Sequence, residues 1–114
     1  MSDPKASITG VRWVEKSAVV DVVGDIDLSR SVEFQQQLLA LLDKKPQKIV
    51  VNLAAVPYMD SSGVASLVKV LSRARKIGSV LHLVGLTPRV KSLFEITRLD
   101  SVFSIRDSEA EALS

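Results

Sequence analysis

Cysteine is absent from the 114-residue sequence, which excludes disulfides, thiolate metal sites and a cysteine nucleophile and fits a reducing compartment. Aromatic residues make up only 4% of the chain, and 15 Lys and Arg against 13 Asp and Glu leave a formal net charge of +2. With little to stack bases on and no strong basic excess, no direct nucleic-acid role is expected. No run reaches the roughly 18 uninterrupted apolar residues of a membrane span. The segment Met1-Ser2-Asp3-Pro4-Lys5 lacks the apolar core of a signal peptide. The expected location is therefore cytoplasmic, away from membranes. Gly-x-Gly-x-x-Gly phosphate cradles are also missing, so no nucleotide site is indicated and any kinase activity belongs to another protein.

What remains is an ordinary globular composition, 46% hydrophobic and 25% charged, at a length that suits one core. Residues 1–5 read as a flexible lead-in and residues 6–114 as a single domain. Ala6 to Val14 and Ala18 to Val23 are strand-like, and the polar Glu15-Lys16-Ser17 between them predicts a hairpin that Gly24 ends. A helix follows, with Ser29 or Ser31 as its cap and Phe34, Leu38, Leu41 and Leu42 as its apolar face. Lys44, Lys45 and Pro46 close it. Ile49 to Leu53 is a continuous apolar strand of the kind buried on both faces.

A second helix is predicted from Ser61 to about Lys76, stopping at Gly78, and Val80 to Val84 is the next strand. Thr87-Pro88 reads as a cap and first helical proline, with Val90, Leu93, Phe94 and Thr97 on one face. Val102 to Ile105 is a short last strand, and the acidic tail from Asp107 to Leu113 adds a helical turn or two. The expected fold is α/β, with a mostly parallel central sheet, an N-terminal antiparallel hairpin strand and three to four helices. In such a sheet the loops Gly24–Ser29, Pro57–Ser62 and Gly85–Pro88 leave carboxyl ends and share one edge, where sites usually lie.

Four constellations carry candidate chemistry. Asp60-Ser61-Ser62-Gly63 joins a strand to a helix and reads first as a capped helix start. The same place tolerates negative charge, so a serine there can also accept a phosphate. Asp25 and Asp27 lack the further oxygen ligands that magnesium or calcium needs, and read as a solvated or partner-contacting loop with no metal. His82, the single histidine, sits mid-strand away from Ser61, and no Gly-x-Ser-x-Gly elbow accompanies it. A hydrolase is not expected, and no catalytic residue or cofactor is assigned. Lys69, Arg73, Arg75 and Lys76 make the second helix basic, a solvated face by default and a dock for an acidic partner otherwise.

Laid out in this way, the chain resembles the STAS domain family, and within it the bacterial anti-sigma factor antagonists. The resemblance rests on Val22-Val23-Gly24-Asp25-Ile26-Asp27, Ile49-Val50-Val51-Asn52-Leu53 and Tyr58-Met59-Asp60-Ser61-Ser62-Gly63-Val64. Leu83 through Phe94 and Leu99-Asp100-Ser101-Val102-Phe103 continue it. It implies that Ser61 is the phosphoacceptor of an anti-sigma factor with serine kinase activity. Gly24, Asp25, Asp27, Asp60, Ser62 and Gly63 are implied as partner-binding residues. The implied protein is a monomer or weak dimer that is not itself an enzyme. It binds its anti-sigma factor when Ser61 is unphosphorylated, and a phosphoserine phosphatase resets the cycle. The alternative is a structural STAS subunit of a phospholipid-trafficking ABC transporter or of a stress-sensing scaffold, with no phosphorylation cycle. Ala65 and Arg98 stand where many members have glycine, and Ile77-Gly78-Ser79 has one glycine where two are common. A different ending of the third helix is expected at Arg98.

Overall fold

The computed structural model describes residues 7–114, so the lead-in expected over residues 1–5 lies outside it. Strands β1 (Ile8–Val14) and β2 (Ser17–Val23) form the expected antiparallel hairpin. Helix α1 (Leu28–Leu42), β3 (Lys48–Ala55), α2 (Ser61–Lys76), β4 (Val80–Val84) and α3 (Pro88–Ile96) follow. A single turn of 3₁₀ helix at Leu99–Ser101, then β5 (Ser104–Arg106) and α4 (Glu109–Leu113), complete the chain. The sheet order is β1-β2-β3-β4-β5, with β2 to β5 all parallel. A sequential parallel order with right-handed crossovers puts consecutive helices on one face.

Alternation along the strands then divides the core in two. Val20, Val22, Ile49, Val51, Leu53, Leu81 and Leu83 point to the helical face. There they meet Phe34 and Leu38 of α1, Leu67 and Val70 of α2, and Val90 and Phe94 of α3. Val19, Val50 and Val84 point the other way and are covered by Ala112 and Leu113 of α4. That short helix is pinned by charge as well. Glu109 accepts from Arg12 Nη2 at 2.7 Å and from Asn52 Nδ2 at 2.8 Å, while Arg12 also holds Asp21 at 2.9 Å. The Arg12 pairing, reinforced by Asn52, holds the Glu109 carboxyl below its usual range.

Several local expectations need correction. The cap of α1 is Asp27, whose side chain accepts from the Ser29 amide, because an aspartate directly ahead of the helix reaches that donor first. Thr87 precedes α3 but makes no cap bond; its hydroxyl donates to the Val56 carbonyl at 3.0 Å instead. Thr97 is exposed, and its hydroxyl donates back to the Leu93 carbonyl at 2.7 Å. The last strand starts at Ser104 because Phe103 turns into the core, edge-on to Phe94 with ring centroids 5.3 Å apart.

The carboxyl edge of the sheet is knitted together by backbone bonds between loops. The Gly24 amide donates to Ala55 at 2.9 Å, Ile26 to Tyr58 at 3.0 Å, and Asp60 back to Ile26 at 3.2 Å. Ile26 and Met59 thus form an isolated parallel bridge beyond the ends of β2 and β3. Gly63 is pressed against it: a Cβ there would lie 2.6 Å from Met59 Cγ, 2.9 Å from Ile26 Cγ2 and 3.1 Å from the Ile26 carbonyl. Both neighbours are buried and have no room to withdraw.

Glycine-to-alanine changes in helices ordinarily gain about 1 kcal/mol. Gly63→Ala should instead destabilise by roughly 1–3 kcal/mol in urea unfolding, because overpacking outweighs propensity. Arg98, just past α3, carries φ 61, the left-handed region that favours glycine. Arg98→Gly should therefore raise the unfolding free energy by roughly 0.5–1 kcal/mol, as relieved strain exceeds the entropy added to the unfolded chain.

Candidate functional site

The start of α2 is built around the Asp60 carboxylate. Asp60 is extended, with φ −103 and ψ −175, and its Oδ1 accepts from the Ser62 amide at 2.9 Å and the Gly63 amide at 3.3 Å. The Ser62 hydroxyl donates to the same oxygen. Ser62 is thereby consumed by the cap. Its hydrogen bond, with the Gly63, Ser62 and Leu28 amides behind it, holds the Asp60 carboxyl below the usual carboxylate range. One turn on, the Ser66 hydroxyl lies 3.0 Å from the carbonyls of both Ser31 and Ser62, tying α2 to α1.

Ser61 is different. It is the first residue of α2, exposed, and its hydroxyl has no hydrogen-bond partner among the described residues. Two adjacent serines of identical chemistry are thus split by geometry into a structural hydroxyl and a free one. Ser61 borders an open groove of about 360 Å³ with Tyr58, Met59, Asp60, Arg89, Ser92, Leu93 and Ile96. The groove runs from the α2 start to α3, and the Arg89 guanidinium lies over the Tyr58 ring, 5.2 Å from its centroid.

The other loop of the shared edge sits alongside through the Ile26–Met59 bridge. Asp27 mirrors Asp60: its Oδ1 accepts from the Ser29 amide at 3.0 Å and the Ser29 hydroxyl at 2.7 Å. Those hydrogen bonds, the hydroxyl first, hold its carboxyl low. Asp25 is exposed, and its carbonyl accepts from Arg30 Nη1 at 3.3 Å. Gly24 has φ 80, and a Cβ on it would lie 2.8 Å from the same Arg30 atom. Asp27, Asp60, Ser62 and Gly63 therefore shape the edge, while Asp25 and Ser61 present free polar atoms on it. Thr87 joins the edge through its bond to Val56.

Large exposed apolar side chains were missed by reading periodicity for the core alone. Leu28 is 74% exposed, Val32 62% and Ile96 80%. All three fall outside the buried faces of their helices, which is the signal that marks them. The basic residues of α2 divide: Lys69, Arg73 and Lys76 line a separate groove with Gln35 and Leu39, while Arg75 donates to the Val102 carbonyl at 3.4 Å. His82 pairs in register with Val50, on the sheet face opposite α2, and its Nδ1 is 2.7 Å from the Ser104 hydroxyl. Burial, then Arg106 and Lys48, lowers its pKa. It is in no position to serve Ser61 as a base. Among the described residues no cluster of three metal-capable side chains occurs, and no helix is long and apolar enough to cross a membrane.

Asp60→Ala should lower the unfolding free energy by about 1 kcal/mol at neutral pH. Because the native carboxyl is depressed, its contribution is complete above the unfolded value of about 3.9 and is lost as pH falls through the lower native one. Urea melts of the two proteins should therefore converge on acidification below about pH 4.

Comparison with known proteins agrees with this fold. The sequence model of the STAS domain matches residues 9–112. The anti-sigma-B factor antagonist of Staphylococcus aureus is 30% identical over 93 residues, covering 82% of this chain and 86% of that protein. A crystal structure of an anti-sigma factor antagonist from Mycobacterium paratuberculosis superposes with a TM-score of 0.85 at 27% identity, covering 99% of this chain and 96% of that one. The Bacillus cell fate determinant SpoIIAA in its phosphorylated form shares the fold, with a TM-score of 0.69 at 17% identity, covering 91% of this chain and 95% of that one. The chain belongs to the STAS domain family, the family of the bacterial anti-sigma factor antagonists with which it aligns.

Proposed function

We propose that this protein is an anti-sigma factor antagonist that works by phosphorylation-dependent partner switching, with Ser61 as the phosphoacceptor. The observation that carries the reading is the division of labour in Asp60-Ser61-Ser62-Gly63. Ser62 is held by the cap, whereas Ser61 offers an exposed hydroxyl with no partner among the described residues. The names of the aligned relatives support the antagonist role, and the phosphorylated form of SpoIIAA supports a phosphate on this fold.

The proposed cycle works on this surface. The unphosphorylated protein docks an anti-sigma factor over Ser61, Asp25 and the exposed apolar side chains Leu28, Tyr58 and Ile96. That partner is a serine kinase using ATP. Phosphorylation adds about −1.5 to −2 charge beside the Asp60 carboxylate. Covering that charge costs several kcal/mol of desolvation unless the partner supplies cations, so the complex opens. A phosphoserine phosphatase restores the hydroxyl. The protein acts in the cytoplasm as a substrate and binding module, one domain spanning residues 6–114, with no catalysis, cofactor or metal of its own.

Ser61→Ala should bind the cognate anti-sigma factor as the parent does and take up no phosphate from ATP, measured by intact-protein mass spectrometry. Ser61→Asp should weaken the complex by about tenfold or more, equivalent to roughly 1.4 kcal/mol. Ser62→Ala should remain a substrate. Phosphate incorporation persisting in Ser61→Ala would remove the assignment, and affinity capture of transporter subunits in place of a kinase would favour the structural role.

A further inference from the structure

Arg89 occupies an unfavourable place for a cation. It is the second residue of α3, in a first turn with no acidic side chain, where the helix dipole opposes positive charge. Its side chain makes no ion pair among the described residues; the two that occur both belong to Arg12. Its one side-chain partner among the described residues is the Tyr58 ring, 5.2 Å from the guanidinium carbon to the ring centroid. Arg89 also lines the groove that Ser61 borders, and it is the one cation on that lining, which it shares with Asp60. In the unmodified protein the groove therefore holds one negative and one positive side chain.

We propose that Arg89 is the internal counter-ion for a phosphate on Ser61: the guanidinium leaves the Tyr58 face and takes the phosphate oxygens as a charge-assisted, bidentate pair. This rests on the reading of Ser61 as the phosphoacceptor. The chemistry favours arginine at such a position, because its planar fork matches two phosphate oxygens and stacks on an aromatic ring when released. A cation–π contact at an exposed site is weak enough to be exchanged for that pair. The exchange has two consequences. It offsets the repulsion between the phosphate and Asp60, so the cap of α2 survives modification. It also removes the guanidinium from Tyr58, so phosphorylation alters the docking surface at a second point across the groove. Arg89 is thus a positioning residue, and its role is specific to the phosphorylated state.

The test installs phosphoserine at Ser61 by genetic encoding in the full chain and follows its second ionisation by phosphorus NMR. In the parent the midpoint should lie below the usual value of about 6, and Arg89→Gln should raise it by roughly half a unit or more. Arg89→Lys, which keeps the charge and loses the fork, should fall between them. Relative to a phosphoserine peptide, added salt should raise the parent midpoint as attraction to Arg89 is screened. The salt response needs no substitution and gives the sign of the net field at Ser61. Because the amino end of α2 adds to that field, the difference between parent and Arg89→Gln, both checked for folding by thermal melts, assigns the share of the guanidinium. Equal midpoints in the parent and Arg89→Gln, or a parent midpoint that falls with salt more steeply than that of the peptide because Asp60 dominates, would overturn the pairing. No kinase enters this experiment, so failure of Ser61 to be phosphorylated by a partner would sink the proposed function separately.

Discussion

The short parallel bridge between Ile26 and Met59 governs everything at the functional edge. Two loops leave the ends of β2 and β3, and they are fixed to each other by exchange of backbone bonds: Ile26 to Tyr58, and Asp60 to Ile26. Those bonds set where each loop turns into its helix. Asp27 and Asp60, one residue beyond the bridge on either side, then become the caps of α1 and α2. Gly63 must lack a side chain because the first turn of α2 lies against this bridge. Ser61 is exposed as a result: the residue after the cap begins the helix, and its neighbours on the far side are already bonded.

The large elements were legible because their causes are local. A β-branched run with no polar interruption, Ile49 to Leu53, specifies a strand buried on both faces, and 3.6-residue spacing from Val64 to Leu71 specifies a helix against it. The shared edge followed from alternation of strands and helices alone. What failed was competition between equivalent donors and acceptors. Asp27, Ser29 and Ser31 are all good caps by type, and the choice of Asp27 depends on where the bridge stops the strand. Thr87 bonds Val56 in another loop, a contact between residues 31 apart in sequence that no local pattern encodes.

The site was legible to a different depth. Composition and spacing found a hydroxyl pair at a strand–helix join, and the family resemblance singled out Ser61 without a physical ground for preferring it to Ser62. The cap geometry supplies one: the Ser62 hydroxyl is half-buried and its proton is held by Asp60, so it cannot be presented to another protein's base, whereas the Ser61 hydroxyl faces water. Arg89 escaped notice because nothing in sequence ties it to Ser61; it arrives at the groove only because α3 follows β4 back along the edge. Local sequence gives the identity of such residues, and only topology gives their company.

The proposed charge switch at Ser61 places opposite demands on its surroundings. The backbone must stay fixed when two negative charges arrive, or the partner would be reading an unfolded edge. The surface must change, or the partner would read nothing. The two demands are met by different atoms here. Asp60, Ser62 and Gly63 are committed to the frame through bonds that do not involve the Ser61 hydroxyl. Across the groove from them lie the Arg89 guanidinium, stacked on Tyr58, and the exposed Ile96 side chain, which rearrange without breaking a backbone bond. A rigid cap beside a loosely held cation is therefore the arrangement that the proposed switch requires, one hydroxyl altering the chemistry of a surface while the fold beneath it stays intact.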